Sequence, residues 1–152
     1  MFLRNKTYTT SHLFNDNTFY EAFVKDIKRA KRRVIIESPF ITTKRFAVIY
    51  PLLKKAARHK VKIIVNTRNP VEHEFFMKNQ ALECVSLLQD IGADVFYTSG
   101  LHRKLAIIDN TVWEGSLNIL SQSNSCEIMR RTESTEYTNQ LIKFVKMSKW
   151  YN

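Results

Sequence analysis

The stretch LHRKLAIIDNTVWEGSLN, Leu101 to Asn118, decides how the rest of the chain is read. Two runs of apolar and β-branched residues flank the polar pair Asp109-Asn110, the pattern of two antiparallel strands joined by a tight turn. A hairpin built only for packing should not open on His102, Arg103 and Lys104, nor close on Gly115, Ser116, Leu117 and Asn118. Residues two apart in a strand share a face and lie about 6.5–7 Å apart. His102 and Lys104 therefore project together, and Ser116 and Asn118 form the same kind of pair on the return strand. Arg103 turns to the opposite face, toward an ion pair or a phosphate. Register decides whether the two pairs meet. A two-residue turn at Asp109-Asn110 sets Lys104 opposite Gly115. A three-residue turn through Thr111, or a bulge at Gly115, sets Lys104 opposite Ser116 and His102 opposite Asn118. The expectation is one of the latter two, because only they gather the four polar groups into one patch.

Upstream, NTFYEAFVKDIKRAK (17–31) places Phe19, Phe23, Ile27 and Ala30 at helical spacing, with Asn17 or Asp16 as the expected N-cap. RRVIIESPFI (32–41) is an apolar run stopped by Pro39, which reads as a buried strand. A helical stretch (44–60) containing Pro51, a strand (61–67), a helix from NPVEH to Ile91 and a strand (93–98) follow. After the hairpin come a polar loop (121–125), a strand over CEIMRRT and a helix over 134–147. This order predicts an α/β fold, a mixed sheet flanked by helices on both faces. Its first three strands are parallel and the hairpin adds antiparallel members. In such sheets ligands gather beyond the carboxyl ends of the strands.

A chain of 152 residues suits a single domain spanning 1–152, standing alone or as the catalytic part of a longer protein. No apolar run approaches the roughly 20 residues that cross a bilayer. The N-terminus lacks a signal core, so a cytoplasmic protein without stable membrane insertion is expected. Cys84 and Cys126 read as reduced core thiols, and Trp113 and Trp150 as core or interface packing. His12, His59, His73 and His102 show no metal-ligand spacing, so neither a metal nor a cofactor is expected. His73, between Glu72 and Glu74, reads as a surface residue at a helix start, and HKVK (59–62) as a helix end entering a strand. Lys and Arg number 24 against 14 Asp and Glu, a net charge of +10 dense in KDIKRAKRR (25–33) and KKAARHKVK (54–62). Such an excess favours a polyanionic partner, nucleic acid or an anionic membrane.

The hairpin patch suits a phosphodiester. A neutral imidazole can attack phosphorus and split a hard hydrolysis into two displacements through a phosphohistidine. The Lys104 ammonium can neutralise non-bridging oxygens, while the Ser116 hydroxyl and Asn118 amide donate to them. These residues resemble the HKD motif of the phospholipase D superfamily, H-x-K-x4-D followed by G-S-x-N: His102, Lys104, Asp109, Gly115, Ser116 and Asn118 match in order. One departure is the spacing between Asp109 and Gly115, five residues (110–114) where six are common in that superfamily.

The resemblance implies that His102 is the nucleophile, that Lys104 and Asn118 bind phosphate, and that Ser116 supports them. It also implies a downstream carboxylate hydrogen-bonded to the imidazole, for which Glu127 is the candidate. Asp109 belongs to the catalytic set by its place in the motif, although a turn and packing role suits it better than proton transfer. Arg130 and Arg131 are candidates for backbone contacts, and Phe40 for lining the groove or packing in the core. The mechanism uses two histidines and the chain holds one motif, so a homodimer with both His102 side chains at the two-fold axis is expected. The implied activity is that of the superfamily's single-motif bacterial endonucleases, a metal-independent cut in DNA or RNA. A phospholipid-acting enzyme and a non-catalytic nucleic-acid-binding module are the alternatives.

Overall fold

The computed structural model describes residues 10–147. Trp150 and the chain before Thr10 lie outside them. Seven strands form one sheet: β1 (Thr10–Asn15), β2 (Arg33–Glu37), β3 (Lys62–Thr67), β4 (Asp94–Tyr97), β5 (Leu105–Ile108), β6 (Thr111–Gly115) and β7 (Ile128–Glu133). The helices are α1 (Phe19–Arg29), α2 (Thr43–Arg58), α3 (Phe75–Asp90) and α4 (Thr135–Phe144), with a 3-10 turn at Pro70–Glu72. Strand order is β1-β7-β6-β5-β2-β3-β4. β2 runs parallel to β3, and β3 to β4, while the β2–β5, β5–β6, β6–β7 and β7–β1 pairs are antiparallel. This is the expected mixed sheet.

Alternation along the central strands divides the apolar residues between two cores. Val34, Ile36, Val65, Ala106 and Trp113 pack under α1, α2 and α3. Ile35, Ile64, Leu105, Ile107 and Val112 pack under α4, against Ile142 and Val145. Strands buried on both faces read as continuous apolar runs, which is why RRVII and KIIV were legible as β2 and β3. Pro51 sits inside α2 without ending it. β1 is the element the sequence pattern misses. It is an edge strand with Leu13 61% exposed, so no alternation of buried residues marks it; Phe14 anchors it by lying 5.0 Å from the Trp113 ring. At the start of α1 the cap position falls on Thr18, not Asn17 or Asp16, because Asn15 Oδ1 turns the chain by accepting from the Asn17 and Thr18 amides. The segment from Pro70 forms the 3-10 turn, and the helix proper starts five residues later than NPVEH suggests. Cys84 is buried, but Cys126 is an exposed free thiol rather than a core one.

The hairpin register differs from expectation. Ile108 pairs with Thr111 and Leu105 with Glu114, so the turn is the two-residue Asp109-Asn110. Lys104 then lies opposite Gly115, whose amide donates to the Lys104 carbonyl at 3.3 Å. The three-residue turn and the proposed pairing of Lys104 with Ser116 are not what the chain adopts. Asp109 explains the choice. It takes the left-handed conformation a tight hairpin turn needs, φ 51°, and its carboxylate accepts from the backbone amides of Lys31, Arg32 and Arg33 at 2.8–3.2 Å. The turn is thus pinned to the α1–β2 junction. Gly115 is required at the other end, since a Cβ there would meet the Ile128 carbonyl oxygen at 2.1 Å.

Burial pushes the Asp109 carboxyl up, but three backbone amides and the Arg32 charge outweigh it and hold its pKa below the ordinary value. A carboxylate depressed in this way stabilises the fold above its unfolded pKa and loses that contribution as pH falls through the folded one. Asp109→Asn keeps a residue tolerant of positive φ and removes the charge. Its denaturant midpoint at pH 7 should fall by an amount equivalent to about 1–2 kcal/mol. The gap to wild type should be full above about pH 5 and close below about pH 3.9.

Candidate active site

The parallel strands β2 and β3 end at one edge of the sheet, and segments 98–104 and 115–120 cross that edge. A charged residue sits at its centre. Glu37, the last residue of β2, is fully buried. Its carboxylate accepts from Arg103 Nε and Nη2 at 3.1 and 2.9 Å and from Asn66 Nδ2 at 2.8 Å. Thr98 Oγ1 donates to the Asn66 amide oxygen at 2.9 Å. Arg103 therefore does turn away from its neighbours, and its partner is Glu37. Arg68, just past β3, donates from Nε and Nη2 to the Leu101 carbonyl at 3.1 and 2.9 Å. These bonds hold the segment around His102 from both sides.

His102 is exposed and Lys104 half-buried at this edge. Lys104 Nζ lies 3.2 Å from His102 Nδ1 and donates to the His102 carbonyl at 2.7 Å. Burial pulls the Lys104 pKa below the ordinary lysine value, the Arg68 charge adds to this, and the Glu127 carboxylate opposes it. Arg68 and Glu127 thus act on the same ammonium from opposite directions. Glu127 Oε1 accepts from Ser125 Oγ at 2.6 Å. The expected Glu127–imidazole hydrogen bond is not among those the described residues make. The Ser116 hydroxyl oxygen accepts from the Ile128 amide at 3.0 Å, which commits it to the β6–β7 junction. Asn118 is half-buried, and its side-chain oxygen is buried with no hydrogen-bond partner among the described residues. The segment just after it is tied to the end of β2, with the Leu120 amide donating to Ser38 Oγ at 3.1 Å. The edge therefore joins His102 to Lys104 directly, with Arg68 and Glu127 in electrostatic range. Ser116 and Asn118 border it.

Other residues of interest in the sequence fall elsewhere. Asp109 is at the far end of the hairpin, roughly 20 Å from His102 by strand rise, and does not belong to the site. Arg131 is not placed for a phosphate: its guanidinium binds Asp26 at 2.8 and 2.9 Å and Glu133 at 2.6 Å. Arg130 is exposed on β7 beside Tyr137. Phe40 lines the site edge, 4.9 Å from the His73 ring and 5.5 Å from the Arg68 guanidinium carbon. His73 is correspondingly half-buried rather than a free surface residue. Burial, reinforced by the Arg68 charge, lowers its pKa against the opposing effects of a Pro39 backbone hydrogen bond and Glu72. Among the described residues no group of three or more His, Cys, Asp or Glu side chains is placed to hold a metal ion. No helix there is long and apolar enough to cross a membrane. The two basic stretches converge at the opposite end of the molecule, where Lys28, Lys31, Lys55 and His59 rim a cavity of about 500 Å³.

Sequence reasoning missed Glu37, Arg68 and the pair Asn66–Thr98. Each had a signal: a lone charge inside an apolar strand requires a partner, and polar residues at the carboxyl ends of adjacent parallel strands face the usual ligand edge.

A mixed sheet with His102 and Lys104 in contact at its carboxyl edge defines a phospholipase D-like domain. Residues 23–148 match the family described as "Cardiolipin synthase, PLD-like domain", and the chain belongs to that family. No curated protein sequence matches. Similar solved structures include Nuc, a phospholipase D family member from Salmonella typhimurium, with TM-score 0.76 and 14% identity over 95% of each chain. NucT from Helicobacter pylori superposes with TM-score 0.71 and 20% identity, over 92% of this chain and 95% of that one. TrmBL2, an archaeal chromatin protein with a novel mode of DNA binding, superposes with TM-score 0.65 and 10% identity, over 93% of this chain and 51% of its own. At these identities the likeness establishes the fold.

The opposed fields on Lys104 make a two-sided prediction. Glu127→Gln removes a carboxylate that raises the Lys104 pKa, so it should lower that pKa further; Arg68→Ala should raise it. NMR titration of the Lys104 side chain checks both signs, and shifts in the same direction would refute the arrangement.

Proposed function

We propose that this protein is a phosphodiesterase that cuts DNA or RNA through a covalent phosphohistidine on His102, acting as a homodimer with no metal ion in the step. The observation that carries this reading is the direct contact of His102 with Lys104 at the open carboxyl edge of the sheet, within the field of Arg68. An imidazole and two cations in one place suit attack on a phosphodiester, whose charge they offset as it develops. The basic net charge and membership in the phospholipase D-like family support it.

In the first step His102 Nε2 forms a bond to phosphorus while the P–O bond to the leaving oxygen breaks. The His102 of a second copy, across a two-fold axis, gives that oxygen its proton. In the second step the same imidazole takes a proton from water, the water oxygen bonds to phosphorus and the P–N bond breaks. Attack by Nε2 requires the ring proton on Nδ1. An ammonium can only donate, so Lys104 resting against Nδ1 favours the opposite tautomer. A bound phosphate resolves the conflict by drawing the Lys104 ammonium to its oxygens. Nδ1–H is then free for a carboxylate, the role assigned to Glu127. The Asn118 amide is assigned the role of donor to a non-bridging oxygen.

A phospholipid substrate and a purely binding role are the competing outcomes, the latter favoured by the fold shared with a DNA-binding chromatin protein. Wild type and His102→Ala are compared on plasmid DNA, RNA and phosphatidyl substrates, each with EDTA. His102→Ala should reduce nucleic-acid cleavage by about 10³-fold or more, and active wild type should sediment as a dimer. EDTA-sensitive cleavage, activity retained in the variant, or turnover of lipid alone would overturn the proposal.

A further inference from the structure

The segment from the end of β3 into the first turn of α3 borders the site and carries three strongly exposed apolar side chains. Val71 is 69% exposed, Phe75 81% and Phe76 74%. Large aromatic rings left this open are unusual for a surface with no binding task. The loop is tied to the segment that carries His102. Arg68 holds the Leu101 carbonyl, the Glu72 carboxylate accepts from the Gly100 amide at 3.1 Å, and Arg68 pairs with Glu72 at 3.7 Å. Behind it, His73 rests on Phe40. Phe75 and Phe76 occupy the first turn of α3 just beyond these anchors, and neither makes a ring contact with another described aromatic residue.

We propose that Phe75 and Phe76 are a stacking platform for unpaired bases, which makes single-stranded nucleic acid the preferred substrate. The inference rests on the phosphodiesterase reading of the His102 site and names its substrate class. Two features favour this occupant. Arg68 and Glu72 of the same segment hold the Leu101 carbonyl and the Gly100 amide, and α3 begins at Phe75, three residues after Glu72, so a strand whose phosphate lies at His102 would carry its next bases toward the aromatic turn. Stacking on exposed rings is available only to bases that are not already stacked and paired, and it tolerates any sequence. The net charge of +10 favours a polyanionic strand, and the Glu72 carboxylate that precedes the rings is engaged by the Gly100 amide and by Arg68, which leaves the uncharged face of a base to meet the rings.

The test compares wild type, Phe75→Ala/Phe76→Ala and Phe75→Trp/Phe76→Trp on three substrates: a labelled single-stranded oligonucleotide, the same sequence as a blunt duplex, and bis(p-nitrophenyl) phosphate. Wild type should prefer the single strand. The alanine pair should lose about 10- to 100-fold in kcat/KM on it, mainly through KM. Activity on the duplex and on the small diester should change by less than about twofold, and the tryptophan pair should restore the loss. Anisotropy of oligothymidine with His102→Ala, with and without the alanine substitutions, reads the platform independently of turnover. If wild type hydrolyses none of the three substrates, the phosphodiesterase reading fails; the platform stands if the alanine substitutions still weaken oligothymidine binding. Equal losses on single strand and duplex overturn the platform. So does unchanged oligothymidine affinity, dissociation of a dimer on sedimentation, or loss of binding to anionic vesicles in place of oligonucleotide.

Discussion

A carboxylate with no access to water sits at the end of the central parallel strand, and the architecture of the site follows from satisfying it. Glu37 is fully buried, and a buried charge is tolerated only when paired and hydrogen-bonded. Its partners come from β3 and from the segment that precedes β5, which are remote in sequence. Arg103 reaches in to Glu37 with its guanidinium while its side chain stays 46% exposed, and His102 and Lys104 lie in contact at the open edge. Arg103, the residue between them, ties this segment to the end of β2. Removing Arg103 while leaving Glu37 would strand a charge in the core at a cost of several kcal/mol.

The hairpin is anchored at both ends by carboxylates acting on chain segments far away. At one end Glu37 takes Arg103; at the other Asp109 takes the amides at the start of β2. Between them β5 lies antiparallel to β2, with Ile35 opposite Ile107 and Ile36 opposite Ala106. Any slip of β5 relative to β2 would break both anchors and turn apolar residues out of the two cores. Such a slip is excluded by charge as well as by burial. This also accounts for the aspartate of the motif. Asp109 is remote from the chemistry because its task is to set the register that delivers His102 and Lys104 to the edge.

Most of the fold was legible because buried strands and amphipathic helices leave strong periodicities, as in RRVII, KIIV and the α1 face of Phe19, Phe23 and Ile27. The edge strand β1 was not, since an exposed strand carries no such signal. In the site, the adjacency of His102 and Lys104 was expected of a strand, whereas β5 begins at Leu105 and the contact is made in the segment before it. The register was not legible, because converging the polar groups favours one turn while the bonds that Asp109 makes favour another. Three amides at the α1–β2 junction settled it, and no local pattern reports a contact across more than seventy residues of chain. Arg131 illustrates the same limit. A basic residue beside a predicted site reads as a phosphate ligand until Asp26, from α1, is known to be under it.

The exposure of the site itself sets a physical condition on its chemistry. Fixed charges stabilise a transition state strongly only where water is excluded, and His102 lies open at the edge of the sheet. Lys104 is better placed. Burial already lowers its pKa, which means its ammonium is incompletely solvated and gains more from a phosphate oxygen than a free lysine would. The remaining solvent must be displaced by substrate, by the segment that Arg68 and Glu72 hold in position, or by a second copy of the chain. In the proposed mechanism a second copy would supply both the proton donor and that cover.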